Sequence, residues 1–555
     1  MIGQALNQQS QRDLQSAIYN QQWRYGLSSI IALLVATQLR LLPLLENRFH
    51  PDEALYASFA RLIASGYDPL LSGVVVDKPP LPFYLTALSF LLLGSTEFAA
   101  RLPNFYASLL SVALLFALAR RLYGFSTAHL AAWILALSPF AILFSITVFI
   151  DPLLTLFVLW GLWAALTRQP RAAGLAFALA FATKQTALLF LPLAFALLLL
   201  TLPASATLQL TLRRLASAAR PILISLIIAA LVIFSWDAVR HAPVGFWQQG
   251  YTDNAPGRFV RANEVWPRAS AWLNLLHYFT ASRLLNGLFI LGLPLLLLVD
   301  LRQASRVTLA DLSLTTYLLL YLAGYWLLAF NIWDRYLLPI LPLLALLLAR
   351  IADGLWRMAD SRWQMADGKW QMADSLRHIT SSRATVLRLA QRSFVSRSGP
   401  PSRAAVLRRS SFFLHPSSFI LLLLLLPSAL TASHSGYPIG GDHSAYDGLD
   451  ETVRFIHTLP TQGVLYDHWL NWEWNFYLFD SPLYVAWFPS PDSLATDLLS
   501  FGRASPRYLA VPAWESDAEV RTAAERVGFK FISLHTSYRR DGSASITVYQ
   551  LVPNP

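Results

Sequence analysis

The chain has 555 residues, of which 55% are hydrophobic and only 14% are charged, and its mean hydropathy is +0.45. These values exclude a soluble globular enzyme and a disordered chain, and they indicate many transmembrane helices. Cysteine is absent, which excludes disulfides, a thiolate metal site and a cysteine nucleophile. The net charge of +11 is typical of a membrane protein with basic cytoplasmic loops, and we expect no nucleic-acid partner.

Ten apolar runs predict the transmembrane helices. They cover residues 27–45, 99–119, 126–145, 149–167, 172–202, 221–236, 278–299, 311–330, 335–350 and 417–432. The run 172–202 has basic residues at both ends, which need the same side, so we expect two short helices that turn near Thr183-Lys184-Gln185. The thirteen-residue run Leu81–Leu93 is too short for a bilayer and is predicted to be interfacial or re-entrant. The total is about eleven spans.

Basic residues that flank the spans predict the orientation. Under the positive-inside rule the cytoplasmic side carries Arg120/Arg121, Arg168/Arg171, Arg213/Arg214/Arg220 and Arg302/Arg306. The protein is then a multi-pass plasma-membrane protein with a cytoplasmic amino terminus (1–26) and an extracytoplasmic carboxyl terminus. All the unusual charged positions fall on the same outer side, although placing the arginines on the cytoplasmic side does not by itself require this. These positions are Asp52, Glu53, Lys78, Asp151, Lys184, Asp334 and Arg335.

The apolar runs and the changes in composition divide the chain into domains. Residues 27–352 form the predicted transmembrane catalytic domain, with an outer loop at 46–98. A second outer loop, about 237–277, is rich in aromatic and polar residues, and it either closes over a cavity or is an ordinary connection. After the last span, 417–433, a linker from His434 to Gly441 leads to residues 442–555. Their alternating apolar stretches and one helical stretch predict a small extracytoplasmic α/β domain.

Residues 353–416 form a basic insert with a different composition. Trp356, Trp363 and Trp370 open three consecutive copies of a seven-residue repeat. Between Gly354 and Phe412 there are eleven Lys and Arg residues against three Asp, so the segment is predicted to be cytoplasmic. It either lies on anionic lipid or is a tolerated insertion without function, and the second interpretation is favoured.

An acidic pair just past the first span suggests chemistry. Asp52 and Glu53 stand at the mouth of a membrane bundle, where carboxylates are costly unless they face water or a partner. A carboxylate at the reaction centre can act as a general base. Lys78, in the same loop, together with Lys184 and Arg335, can hold a phosphate. The pattern suits a transferase with a lipid-phosphate donor.

Each of these positions also has a structural interpretation. Asp52 stands where a helix begins and can cap backbone amides. Lys78 precedes two prolines and can be solvated in an extended turn. Asp151 precedes a proline at the start of a span and can be a cap. Arg335 can be an anchor at the membrane interface.

Taken together, these stretches resemble the GT-C class of membrane glycosyltransferases. The closest likeness is to the protein O-mannosyltransferase and lipid A aminoarabinose transferase group, which is family 39/83-like. The motifs that carry it are Pro-Asp-Glu-Ala-Leu-Tyr-Ala (51–57), Asp-Lys-Pro-Pro-Leu-Pro-Phe-Tyr-Leu (77–85), Glu-Phe-Ala-Ala-Arg-Leu-Pro (97–103), Arg-Arg-Leu-Tyr-Gly (120–124), Ile-Asp-Pro (150–152), Thr-Lys-Gln (183–185) and Asp-Arg-Tyr-Leu-Leu-Pro (334–339). The likeness covers residues 25–350. Leu55 stands where the aminoarabinose transferases carry Arg.

The resemblance implies a glycosyltransferase that moves a hexose or pentose, with inversion, from a polyprenyl-phosphate donor to an extracytoplasmic protein, lipid or glycan. Asp52 would be the catalytic base and Glu53 its partner. Lys78, Lys184 and Arg335 would contact the donor phosphate, and Tyr56 and Asp151 would line the cavity. The predicted partners are the donor, membrane lipids and an acceptor that the sequence does not identify. No cofactor is predicted, and a divalent metal at Asp52, Glu53 and His50 is left open.

Two further function classes compete with the enzyme. A transporter or flippase of lipid-linked sugars would have related halves and charges at mid-membrane depth. The spans contain no internal repeat and the charges gather at one surface, which favours the enzyme. A scaffold protein whose outer domain binds a partner would tolerate the loss of Asp52.

Overall fold

The computed structural model describes Trp23 and residues 26–202, 207–254, 257–301, 305–359 and 416–554. The predicted insert therefore lies, from residue 360 to residue 415, outside the described residues. The structure is a helical polytopic membrane domain followed by a small domain with a mixed β-sheet.

The membrane domain and the last span are helical throughout. Their helices are α1 (Gly26–Glu46), α2 (Pro51–Ala64), α3 (Leu81–Leu93), α4 (Glu97–Tyr123), α5 (Phe125–Leu137), α6 (Pro139–Ser145), α7 (Asp151–Leu166), α8 (Pro170–Thr183), α9 (Leu191–Leu199), α10 (Leu208–Val239), α11 (Phe246–Asn254), α12 (Val265–His277), α13 (Arg283–Leu301), α14 (Arg306–Leu327), α15 (Asp334–Ala359) and α16 (Pro416–Ser433). Short 3-10 turns cover Gln185–Phe190 and Ala262–Glu264, and the first turns of α15, Asp334–Ile340, are also 3-10.

A helix coincides with each predicted span. In the described part of the chain five helices, α1, α4, α10, α14 and α15, are long and apolar enough to cross a membrane, and the bent pair α5 and α6 would make a sixth. The other predicted spans are shorter apolar helices, so the total of about eleven stays a prediction. The run 172–202 is broken as expected, because α8 ends at Thr183 and Lys184 has an extended backbone. Leu81–Leu93 is a thirteen-residue helix with the predicted bounds.

The break between α5 and α6 has an identifiable cause. Pro139 lacks an N–H, so the chain bends by 57° between the two helices. Arg40, fully buried on α1, donates to the Ala136 carbonyl at 3.0 Å. A cation at the carboxyl end of α5 satisfies a carbonyl that the break leaves without a helical partner. A guanidinium that would otherwise be costly in the bundle thus stabilises the bend.

The C-terminal domain is a five-stranded sheet covered on both faces. Its elements are α17 (Leu449–Ile456), β1 (Val464–Asp467), α18 (Asn471–Tyr477), β2 (Tyr484–Trp487), α19 (Pro491–Phe501), β3 (Arg507–Pro512), α20 (Ala518–Arg526), β4 (Phe529–Tyr538) and β5 (Ala544–Pro553). The strand order is β2-β1-β3-β5-β4, with β1 parallel to both neighbours and β5 antiparallel to both of its own. Along β3, Tyr508 packs toward α17 and α18, and Leu509 packs toward α19 and α20. The predicted α/β class is confirmed.

The C-terminal domain is docked on the membrane domain through α18, which packs on α2. The Phe476 ring meets the Phe49 ring edge-on with centroids 4.9 Å apart. The Tyr477 hydroxyl donates to Glu97 at the start of α4, and Arg61 of α2 forms an ion pair with Asp480. Aromatic burial together with charged contacts is typical of a specific interface.

The predicted linker, residues 434–441, joins α16 to the C-terminal domain and packs against the membrane domain. Ile439 is 1% exposed and belongs to the core of the membrane domain. The Tyr437 ring contacts the Tyr278 ring at 5.5 Å, and the Gly440 N–H donates to Asp334 at 2.8 Å. The segment lies against the bundle because Ile439 and Tyr437 bury apolar surface in its core.

Candidate active site

The amino terminus of α2 separates the two acidic residues. Pro51 occupies the first helical position, where its missing N–H costs nothing. His50 is the cap of this helix. Its ring Nδ1 accepts from the backbone N–H of Asp52 at 3.3 Å, and its backbone N–H donates to Glu53 Oε2 at 3.1 Å. The capping role that the sequence allowed for Asp52 therefore falls to His50 and Glu53, and the Asp52 side chain is left to other partners.

Glu53 is fully buried and bound on all sides. Its Oε1 accepts from Arg101 Nε at 3.2 Å and from the Val148 N–H at 3.1 Å. Burial raises the pKa of Glu53, and the charge of Arg101 opposes that rise. Arg101 also donates to the carbonyls of Asn47 and Arg48, both at 2.7 Å. The pair joins α2 to α4 and does not line the cavity described below.

Asp52 pairs with Arg335 of α15. The carboxylate Oδ2 and the guanidinium Nη1 are 2.5 Å apart, and the Asp52 side chain is still 36% exposed. Arg335 lies over the rings of Phe149 and Trp333, at 5.2 Å and 5.1 Å from their centroids. Stacked guanidinium groups of this kind are held in orientation, which fits a role in placing an anion.

Two lysines form further ion pairs at the same end of the bundle. Lys184 Nζ lies 2.7 Å from Asp151 Oδ1, where α8 and α7 meet, and 4.7 Å from the centroid of the Tyr336 ring. Lys78 pairs with its neighbour Asp77. Charges inside a membrane domain are expected to be paired, and they mark functional sites. Asp151 Oδ2 is buried without a hydrogen-bond partner among the described residues.

A cavity of about 200 Å³ opens at these lysines. It is lined by Asp77, Lys78, Lys184, Gln185, Thr186, Trp247, Gly250, Tyr251, Asn254, Tyr325, Phe330 and Tyr336. Four of these residues belong to α11, in the predicted outer loop 237–277. Gly250 is required there by space, because a Cβ at this position would lie 2.6 Å from the Asp77 carbonyl oxygen. The loop thus covers the cavity in this structure, and its closing as a lid stays a prediction.

Of the predicted site residues, Lys78 and Lys184 line the cavity. Its lining does not include Asp52 or Arg335, nor Tyr56 and Asp151, which the sequence predicts to line it. Burial raises the pKa of the Tyr56 hydroxyl well above its ordinary value. The charges of Asp77, Asp52 and Asp151 add to this rise, and the charge of Arg335 opposes it. Glu53 stands apart, behind the helix cap. Sequence reasoning missed Asp77, although it stands inside the motif that contains Lys78. It also missed the cavity-lining residues of α11, which carry no pattern that marks them individually.

The structure offers no metal centre within its described ranges. No group of three or more His, Cys, Asp or Glu side chains among those residues is arranged to hold an ion. His50 and Glu53 are engaged with each other in the helix cap. The residues named for a divalent metal therefore do not form a ligand set in this structure.

Known membrane glycosyltransferases resemble this chain in part of its sequence and in its fold. Residues 77–236 match the family model described as dolichyl-phosphate-mannose-protein mannosyltransferase. That segment contains Lys78, Asp151 and Lys184.

Two solved structures share the fold along nearly the whole chain. They are those of ArnT from Cupriavidus metallidurans, in the apo state (TM-score 0.61, 16% identity) and bound to undecaprenyl phosphate (TM-score 0.59, 17% identity). Each comparison covers 94% of this chain and 97% of the other. At this identity the likeness establishes the fold.

Relatives by sequence match shorter stretches. The undecaprenyl phosphate-alpha-4-amino-4-deoxy-L-arabinose arabinosyl transferase of Pectobacterium carotovorum is 33% identical over 184 residues, which is 30% of this chain and 33% of that protein. YkcB of Bacillus subtilis, named as a candidate mannosyltransferase, is 32% identical over 108 residues, which is 20% of this chain and 14% of that protein. The chain thus spans a third or less of the curated relatives that it matches.

Proposed function

We propose that this protein is a glycosyltransferase that moves a sugar from a polyprenyl-phosphate donor to a hydroxyl group on an extracytoplasmic acceptor. The observation that carries the proposal is the cavity that holds Lys78 and Lys184 beside the Asp52–Arg335 pair. The undecaprenyl phosphate bound to the ArnT of the same fold supports a lipid phosphate as the ligand. The acceptor is a protein, a lipid or a glycan.

The ion pairs explain how the site would favour the leaving group. Each cation is already matched by a carboxylate: Lys78 by Asp77, Lys184 by Asp151 and Arg335 by Asp52. A sugar-linked polyprenyl phosphate is a diester with one negative charge, and the departing monoester carries about −1.5 to −2 at pH 7. The attraction to the cations therefore grows as the bond to the sugar breaks, which lowers the barrier and not only the donor KM.

Asp52 is the general base in this proposal. Its carboxylate takes the proton of the acceptor hydroxyl while that oxygen attacks the anomeric carbon, and the electron pair of the broken bond stays on the phosphate oxygen. A single displacement of this kind inverts the anomeric configuration. Arg335 orients Asp52 and contacts the phosphate. Glu53, for which the sequence suggested direct catalysis, becomes a positioning residue because its carboxylate is buried against Arg101.

Donor turnover tests the proposal. Purified protein is incubated with a panel of polyprenyl-phosphate sugars and an envelope acceptor fraction, and mass spectrometry follows the free polyprenyl phosphate. We expect Asp52→Asn to reduce release by about 100-fold or more, as for the loss of a general base. The matched control is Asp492→Asn, since this exposed carboxylate lies on α19 of the C-terminal domain. No release from any donor by folded wild type would overturn the proposal in favour of a transporter of lipid-linked sugars.

A further inference from the structure

Gly440 and Gly441, in the segment that leads into the C-terminal domain, lie against Asp334 and Glu53. These two residues are the chain neighbours of Arg335 and Asp52. The Gly440 N–H donates to Asp334 Oδ2 at 2.8 Å, and the other oxygen of Asp334 accepts from the Arg335 N–H, also at 2.8 Å. Asp334 therefore joins Gly440 to the first turn of α15. Because Arg335 lies in that turn, a shift of this contact would move the backbone that carries its guanidinium.

Gly441, the next residue, lies against Glu53, the chain neighbour of Asp52. A Cβ on Gly441 would lie 2.6 Å from Glu53 Oε2 and 3.1 Å from Thr147 Cγ2. Glu53 has no room to retreat, because its two oxygens accept from His50, Arg101 and the Val148 N–H and the side chain is fully buried. Its neighbour in the chain is Asp52, so a shift of Glu53 would rotate the first turn of α2.

Gly440 is needed for its backbone as well. Its φ is +93°, a conformation that L side chains rarely adopt, and a Cβ there would lie 3.1 Å from Leu143 Cβ. Two consecutive residues without side chains thus pass between α2, α6 and α15. We infer that Gly440 and Gly441 are positioning residues of the active site, which fix Asp52 and Arg335 relative to each other through Glu53 and Asp334.

This inference rests on the proposed function and deepens it, because it makes the entry to the C-terminal domain part of the catalytic geometry. Neither glycine contacts the cavity that holds Lys78 and Lys184. A change at the glycines leaves the two lysines in place and disturbs only the phosphate contact of Arg335, so donor binding is expected to weaken much less than the chemical step. A purely structural role would instead lower stability and leave the kinetic constants of the folded fraction intact.

The test measures kcat, donor KM and Tm for Gly441→Ala. We expect kcat to fall by on the order of 100-fold, as for a small misplacement of catalytic groups. The donor KM should rise by a much smaller factor, because Lys78 and Lys184 stay in place and only the Arg335 contact is disturbed. Gly287→Ala on α13 is the matched control, since a Cβ there meets nothing within 4 Å. Wild-type kcat in folded Gly441→Ala would overturn the inference, whereas an inactive wild type would overturn the proposed function instead.

A second variant covers the case in which Gly441→Ala does not fold. Asp334→Asn keeps the shape of the side chain but weakens its acceptance from Gly440 and Arg335, so we expect kcat to fall by a larger factor than the donor KM rises. A Glu53→Asp change in the Gly441→Ala background shortens the crowded side chain, and we expect it to recover part of kcat. Additive losses in that double variant, or wild-type kcat in Asp334→Asn, would contradict the inference.

Discussion

At the scale of single residues, the site is a set of ion pairs, two of which, Asp52–Arg335 and Lys184–Asp151, join distant parts of the chain. Lys184 and Asp151 are 6% and 1% exposed at their side chains and lie 2.7 Å apart. Breaking such a buried pair from one side leaves an uncompensated charge and costs about 3–5 kcal/mol. The structural and the functional contributions of Lys184 can therefore be separated by removing one partner and then both.

We expect Lys184→Met to lower both the Tm and the rate of donor turnover. Because Asp151→Asn removes the charge that the first change leaves unpaired, the double variant Asp151→Asn/Lys184→Met should regain most of the Tm. Donor turnover should stay low in the double variant, since Lys184 contacts the phosphate in the proposed function. Recovery of turnover together with Tm would show that Lys184 is only structural, and thermal unfolding with the release assay decides between the two.

The sequence predicts the charged residues of the site better than their roles. Asp52, Lys78, Lys184 and Arg335 stand out because charges are rare in so apolar a chain. The different surroundings of Asp52 and Glu53 could not be predicted, because they depend on the cap made by His50 and on Arg101, which α4 brings from a distant part of the chain. Both contacts exist only once the helices pack.

At the scale of elements, the helix breaks follow local sequence, and the docking of α18 does not. The sequence analysis predicts the break near Lys184, where α8 ends. It treats 126–145 as one span, and the structure breaks that span at Pro139. Nothing in Asn471–Tyr477 indicates that this helix packs on α2. One face of α18 also carries Glu473, which is 1% exposed and has no hydrogen-bond partner for either carboxylate oxygen among the described residues.

Glu473 makes the stability of the docked domain depend on pH. Burial, together with Asp467, Asp442 and Asp52, raises its pKa from 4.5 to about 8. A carboxyl group with a higher pKa in the folded state binds its proton more tightly there. The contribution of Glu473 to the free energy of unfolding is therefore largest below pH 4.5, the ordinary value, and falls by on the order of a few kcal/mol as the pH rises toward 8.

We expect Glu473→Gln to raise the Tm by much more at pH 8 than at pH 5, because an amide cannot ionise. Thermal unfolding followed by tryptophan fluorescence over this pH range measures the effect. Glu519→Gln on α20 is the control, since Glu519 is exposed. A Tm difference that is the same at both pH values would mean that ionisation of Glu473 is not the cause.

At the scale of the whole molecule, the described residues place the cavity and the C-terminal domain at one end of the bundle. The helix α4 runs from Glu97, beside Tyr477 of the C-terminal domain, to Tyr123, which contacts Asp311. Its 27 residues span about 40 Å, so Arg120 and Arg121 lie at the other end. This separation agrees with the sidedness that the positive-inside rule predicts, and the orientation itself stays a prediction.

The absence of cysteine allows a direct measurement of the orientation. Ser500 on α19 and Gln209 at the start of α10 are both exposed, and we expect them to lie on opposite sides of the membrane. An impermeant maleimide added to intact cells should label Ser500→Cys at once and Gln209→Cys only after permeabilisation. The reverse order of labelling would invert the predicted topology.

The contacts across this molecule also set the order in which it can mature. Asn47, just before α2, donates to Ser435, which is 388 residues further along the chain. Glu53 and Gly441 meet over a similar separation. A chain that emerges from the ribosome amino terminus first would carry Asp52 through the membrane long before the residues that frame it are translated. We expect such a nascent protein to be inactive until residues 435–441 have docked against the membrane domain.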